Sequence, residues 1–416
     1  MLARHALSNA TLLAVALLTP PSASSQNLAV TNARIIVGSG QVIDSGTLIV
    51  RDGKIATVTG GSVQIPRELP VIDAKGMSAM PGFIDGHKHV ADGPTGKAWM
   101  QSLLEAGYTT VLAGGGAAEA NLALAKKVES GEYNGPRIIP SGTIALRQTP
   151  LEARMAVQVL AQMGVKHTGE IGLTPEPAPP QAEIEVLKAI VDEAKKVGVQ
   201  VNVHAVSSPA MTAALDAGVT RLVHLPNKDW TSYEQADAVA KAGAIVAGLI
   251  AFGAPNIDTL SQGPAPVQWP KDNTARFRDG KPWPEAIVGA NRDAKGRATG
   301  TEGGFTIINA RRIWDADPNH TTISYSTDQN GDDLVVLEHE LKSFSIVFSM
   351  ADIHRIIGPN AARFVGMADQ IGTLETGKLA DVILLDGDPT KNIYEMLKTK
   401  VVLKAGRIVV DKRPTH

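Results

Sequence analysis

The sequence predicts an α/β protein: a (β/α)8 TIM barrel joined to a small β-sandwich domain formed from both chain ends. Three observations carry that expectation. Aliphatic strand-like runs alternate with helix-length segments through the middle of the chain, the order a parallel α/β fold requires. The two ends carry matching hairpin patterns. The 416 residues are 44% hydrophobic yet only 4% aromatic, so the core must be aliphatic. That composition suits parallel strands buried on both faces. The length accommodates a barrel and a smaller domain.

Residues 1–25 read as an export signal. Arg4 and His5 precede the apolar run from Thr11 to Leu18, and Pro20, Pro21 and small residues follow through Ser25. The run is too short for a permanent bilayer anchor. Cleavage is expected before Gln26, with a site after Ala23 as the alternative; the competing reading is a leader retained in the cytosol. From 26 to 78 the chain predicts the N-terminal part of the sandwich, with strands at 29–37, 47–51 and 55–59 and a hairpin at Asp52-Gly53. Residues 369–416 supply the C-terminal part. There Asp381-Val382-Ile383-Leu384-Leu385 reads as a buried strand, and Lys404-Ala405-Gly406-Arg407-Ile408 repeats the logic of Arg51-Asp52-Gly53-Lys54-Ile55.

The barrel is expected over 79–368, with strands at 82–89, 109–113, 137–141, 165–171, 200–205, 221–225, 244–250 and 321–327. Helices at 181–197 and 232–242 lie between them. An insertion at about 253–320 breaks the rhythm; its Pro- and Gly-rich character and length suggest a lid or specificity wall on the site side. Trp269, Phe277 and Trp283 are candidates to cover an organic substrate, and Arg276, Arg278 or Arg292 to meet an anionic group. Surface packing and solvated charge are the alternative for each of them.

The most informative run is Pro81-Gly82-Phe83-Ile84-Asp85-Gly86-His87-Lys88-His89. Side chains alternate across a strand, so His87 and His89 share a face and Lys88 points away. Two such imidazoles can grip one metal ion, which then needs ligands from elsewhere. Candidates stand at other strand ends. Glu170 lies where the fourth strand gives way to glycine. His204 and His224 close the fifth and sixth, and Asp328 ends the eighth. A carboxylate among cations is stabilised in its ionised form, whereas alone it is costly to bury. Lys166, if carbamylated, is the rival bridging ligand, but four strand residues place it about 13 Å deeper. His167 should face the opposite side unless a bulge intervenes. His320 and His339 fall near or beyond the eighth strand and could reach the pocket, but they and His354 read first as structural histidines, and Tyr325 as a residue facing the helices or the barrel interior.

This ligand order resembles the amidohydrolase superfamily over nearly the whole mature chain. Ala79 to His89 looks like its first-strand motif. Gly358-Pro359-Asn360-Ala361-Ala362-Arg363-Phe364-Val365-Gly366, followed by Gly372-Thr373-Leu374-Glu375-Thr376-Gly377-Lys378-Leu379-Ala380-Asp381-Val382, looks like its closing helix and return. Gly169-Glu170-Ile171-Gly172-Leu173 resembles the branches that bridge with glutamate, and enamidase-like cyclic amide hydrolases are the nearest group. Asp328-Gln329-Asn330-Gly331-Asp332 departs from relatives that carry a proline two positions after the aspartate. The resemblance implies two divalent metal ions: His87 and His89 with Asp328 on one, His204 and His224 on the other, Glu170 bridging. It implies that Asp328 is catalytic, as general base and then general acid, in hydrolysis of a cyclic amide or small N-acyl compound. Zinc is the default for this N/O donor set, with manganese, iron and cobalt also fitting it.

A net charge of −2 gives no reason to expect nucleic acid. With no cysteine, metal chemistry rests on His, Asp and Glu. The expected partner is a small-molecule substrate, with no membrane anchor after signal cleavage; a homo-oligomer is compatible with the sequence. The expected location is periplasmic or secreted. Two rival readings use the same residues: a lactonase, phosphoesterase or dipeptidase with the same site, or a non-catalytic exported binding module on the same barrel.

Overall fold

The computed structural model describes residues 26–61, 63–250, 278–281, 302–328 and 331–414. The export-signal reading of 1–25 and the lid candidates Trp269, Arg276, Phe277, Trp283 and Arg292 lie outside the described residues. The N-terminal strands are β1 Leu28–Ile36, β2 Val42–Arg51, β3 Lys54–Gly60, β4 Val71–Asp73 and β5 Ser78–Pro81. The central strands are β6 Phe83–Lys88, β7 Tyr108–Ala113, β8 Arg137–Ile139, β9 Ser141–Gly142, β10 His167–Gly172, β11 Gln200–His204, β12 Arg221–Val223, β13 Ile245–Gly248 and β14 Ile323–Tyr325. The C-terminal strands are β15 Val382–Leu385, β16 Thr399–Lys404 and β17 Arg407–Asp411.

Strands from both ends share one sheet, in the order β17-β16-β15-β5-β1-β2-β3 with β4 beside β1. The β2–β3 and β16–β17 hairpins in it use the same turn chemistry. Asp52 and Gly53 have φ of 50° and 77°, and Ala405 and Gly406 have 45° and 74°, so both positions of each turn are left-handed. Such turns match the right-handed twist of the strands they join. Alternation then sorts the side chains. Val382, Leu384, Val401 and Leu403 pack with Leu28, Val30, Leu48 and Val50, while Ile383, Leu385 and Val402 enter the larger core.

The middle of the chain is parallel throughout, in two sheets: β6-β7-β8, and β14-β13-β12-β11-β10-β9. The strand expected at 137–141 is split at Pro140, whose nitrogen carries no hydrogen to donate to a ladder. The strand expected at 321–327 is shorter, ending at Tyr325. Helix Gln181–Val197 lies where the sequence places it and stops at Gly198, with φ of 72°. Ser232 and Gln235 form a capping box that starts helix Tyr233–Lys241. Helix Met350–Arg355 passes into a π-turn over Ile356–Asn360 that contains Pro359. Among the described residues no helix is long and apolar enough to cross a membrane. Within each parallel sheet the C-terminal ends of the strands share one edge, and the two edges meet where the Asp328 N–H donates to the His87 carbonyl.

Candidate metal centre

The six expected ligands meet at that edge. His87 lies inside β6 and His89 just beyond it; Glu170 is in β10, and His204 is the last residue of β11. Nε2 of His89 is 3.0 Å from Oε1 of Glu170 and 3.2 Å from Oδ1 of Asp328. Nε2 of His87 is 3.4 Å from Oδ1 of Asp328 and 3.6 Å from Oε2 of Glu170. Oε2 of Glu170 also lies 2.8 Å from Nδ1 of His204 and 3.3 Å from Nε2 of His224. Nε2 of His224 is 3.8 Å from Oδ2 of Asp328.

Among the described residues two overlapping donor sets are close enough to hold a cation: His87, His89 and Asp328, and His87, Glu170 and His224. His204 joins through Glu170 and packs edge-on against His224, with ring centroids 4.3 Å apart. The cluster is graded in depth. The His87 side chain is 2% exposed and that of His89 is 41%, so one side is sealed and the other faces solvent.

Charge follows from this packing. Burial pushes the Glu170 carboxyl up, but hydrogen bonds from His204, His224 and His89 outweigh it and hold Glu170 far below the usual carboxylate range. Asp328 is likewise held low against its own burial, chiefly by His87. The Glu170 hydrogen bond raises His89, and burial lowers His224. Both carboxylates are therefore ionised acceptors at neutral pH.

The donor set fits divalent cations. Among the described residues the buried Nε2 of His87 has no hydrogen-bond partner, as is also true of one ring nitrogen each of His167 and His354. Of these three atoms, only that of His87 has two carboxylates within 3.6 Å. A buried ring nitrogen left without a partner is costly, and a cation held between it and the carboxylates would satisfy it. Imidazole and carboxylate together suit zinc and its neighbours.

Local backbone does part of the placing. His224 follows β12 with φ of 67°, and Asp328 follows β14 with φ of 54°. Neither residue is glycine, and such conformations cost about 1–3 kcal/mol each unless surrounding contacts impose them. Asp328 is therefore not a strand-end residue, as the sequence suggested: the ladder stops at Tyr325 and the acid sits three residues on. Its backbone N–H donates to the His87 carbonyl over 2.9 Å, tying that loop to the end of β6.

The other candidates fall elsewhere. Lys166 is exposed and precedes β10, so the rival bridge is away from the cluster. His167 is buried beside Gly366, and burial with the nearby Arg221 charge lowers it to about 3. His320 stacks on Trp314 at 4.7 Å. His339 lies in helix Asp333–Val347, and burial lowers His354 to about 4. Tyr325 is buried with its hydroxyl 2.5 Å from that of Tyr108. Arg278 donates to Asp237 Oδ1 over 2.6 Å and covers the Tyr233 ring.

Sequence reasoning passed over three supports. Gly114 and Gly115 follow β7 directly beneath the imidazoles. A Cβ on Gly114 would come within 2.7 Å of His87 Cε1, and one on Gly115 within 3.1 Å of His89 Cε1. The run Gly114-Gly115-Gly116 at a strand end was the available signal. The third is Asp85, whose carboxylate is fully buried behind the cluster.

Fold and site together define a parallel α/β protein with a candidate metal centre at its carboxyl edge. Residues 78–409 match the model described as Amidohydrolase family, and the chain belongs to that family. A dihydroorotase from Aquifex aeolicus is 27% identical over 190 residues, 41% of this chain and 42% of that protein. An enamidase from Eubacterium barkeri is 29% identical over 163 residues, 34% of this chain and 42% of that protein. Each alignment thus spans less than half of the relative's length. Among solved structures, a putative prolidase from Bifidobacterium longum superposes with a TM-score of 0.72 at 23% identity, covering 94% of this chain and 97% of that one. At that identity the likeness shows the fold alone.

Proposed function

We propose that this chain is an exported two-metal hydrolase of a carbon–nitrogen bond, acting on a cyclic amide or a small N-acyl compound. The observation that carries the reading is the convergence of four imidazoles on two ionised carboxylates, with the buried His87 Nε2 otherwise unpartnered. His87 and His89 with Asp328 would hold one cation, His204 and His224 the second, and Glu170 would bridge them, with zinc as the default. The two parallel sheets are read as arcs of one (β/α)8 barrel, which the Asp328-to-His87 backbone bond supports. The end sheet is read as a β-sandwich, supported by the single core shared between β1, β2, β15 and β16.

Divalent cations so held would lower the pKa of water toward neutrality and polarise the carbonyl under attack. The remaining work falls to the chain. Asp328 is ionised and at the cluster's rim, so it can accept the proton of the attacking water and deliver it to the leaving nitrogen. Glu170, within 3.3 Å of the ring nitrogens of His89, His204 and His224, would hold those rings aimed at one point through the cations it shares with them. Gly114 and Gly115 let the β7 backbone close beneath His87 and His89 and exclude water from that side.

The partial likeness to a protein named enamidase favours the cyclic amide over the dipeptide reading. A panel of cyclic amides, N-acyl amino acids, lactones, phosphoesters and dipeptides, assayed with and without chelator, tests this. Chelator-sensitive turnover of an amide is the expected result; turnover confined to lactones or phosphoesters would contradict the proposed bond, and none at all would favour a binding module.

A further inference from the structure

We infer that Asp85, Thr327 and Lys88 form a positioning relay that fixes the Asp328 carboxylate for proton transfer. The inference rests on the proposed metal-hydrolase reading and assigns part of its precision to residues outside the cluster. The relay begins with Asp85, fully buried in β6. Its Oδ1 accepts from the backbone N–H of His87 over 3.0 Å and from that of Thr327 over 3.1 Å. Its Oδ2 accepts from the Thr327 hydroxyl over 2.6 Å. One carboxylate thus grips the residues that carry His87 and precede Asp328.

The grip continues outward. Thr327 Oγ1 accepts from Lys88 Nζ over 3.2 Å, and that ammonium lies 3.4 Å from Asp333 Oδ1. Asp333 in turn accepts from the Ser102 hydroxyl over 2.9 Å. Lys88, Thr327 and Asp333 are all buried. Lys88 has the opposite strand parity to His87 and His89 while Asp85 shares theirs, and the two side chains meet at Thr327 Oγ1 where the β6–β7 register shifts.

Such a chain is what Asp328 requires. Strand pairing stops at Tyr325, and Asp328 has a left-handed backbone with φ of 54°. A ladder therefore does not hold it; side-chain bonds to Thr327 and the backbone bond to His87 do. At Gly86 a Cβ would come within 3.0 Å of the Tyr325 carbonyl, so the two strand ends meet at closest approach. Proton transfer is sensitive to displacements near 1 Å, which can cost about 100-fold in rate.

The variants Thr327→Val and Thr327→Ser separate positioning from mere stability, read in the full chain loaded with cobalt(II). Val keeps the shape and removes the hydroxyl; Ser restores it. The expected result is a kcat about 10- to 100-fold lower in T327V with KM within about twofold, and recovery in T327S. The visible absorption of bound cobalt should change in T327V and return in T327S. A T327V protein with unchanged kcat and unchanged spectrum would overturn the relay alone. Equal losses in both variants with KM rising in step would also overturn it, by showing a structural role. A wild-type chain that takes up no cobalt would sink the metal reading and the relay with it.

Discussion

Two groups of histidines occupy this molecule under opposite conditions. His87, His89, His204 and His224 stand at strand ends with a carboxylate oxygen 2.8 to 3.4 Å from each ring. His167 and His354 are buried with no carboxylate in ion-pair contact among the described residues, and burial lowers them to about 3 and about 4, with the Arg221 charge adding to the first and Asp388 opposing the second. Burial alone does not sort them, since His87 is as deeply enclosed as His167. The carboxylates do. An imidazole in direct contact with an ionised acid is equipped to share a cation, while one buried without that contact is a neutral packing group. The lesson is that a metal-site reading should be sought in the anions around a histidine rather than in its depth.

The comparison breaks first at the anions. Asp328→Asn keeps the shape and removes the proton acceptor, so kcat should fall about 10²- to 10⁴-fold on whichever amide the wild type turns over. A loss below tenfold would remove Asp328 from the proton path. A smaller effect is expected beneath the rings. Gly114→Ala should displace His87 and lower kcat/KM about 10- to 100-fold while circular dichroism stays native-like. Full activity in G114A would show that the β7 backbone does not set the ring position.

The smallest effect tests the other group. His354 has a folded pKa depressed from 6.5 to about 4, chiefly by burial, with Asp388 and a backbone bond opposing it. The unfolded chain therefore binds more protons between those values, and stability is full above 6.5 and declines as pH falls toward 4. Each such histidine contributes a slope of at most about 1.4 kcal/mol per pH unit in that window. In His354→Asn the slope measured by urea unfolding between pH 6.5 and 4 should shrink by about that amount. An unchanged slope would mean His354 is charged or solvated in the fold.

Some of this was legible in the residues and some was not. His87 and His89 followed from strand alternation, which depends only on neighbours. Glu170 over Lys166 followed from strand rise. The paired hairpins at Asp52-Gly53 and Ala405-Gly406 were readable because turn chemistry is local. Asp328 was readable as an acid near a strand end, but its backbone was not, because three residues had already left the ladder. Asp85 stood in the motif that drew attention first, yet its partner Thr327 is 242 positions away, and no local pattern reports a bond of that span. Gly114 and Gly115 were missed for the same reason: their value lies in what a Cβ would strike, the rings carried by another strand.

The most direct test of the central claim is elemental analysis of the purified full chain beside its Glu170→Gln variant. The account predicts near two equivalents of divalent metal per chain in the wild type and one or fewer in E170Q, because the bridging carboxylate serves both positions. Less than half an equivalent in the wild type, or the same content in both proteins, would contradict it.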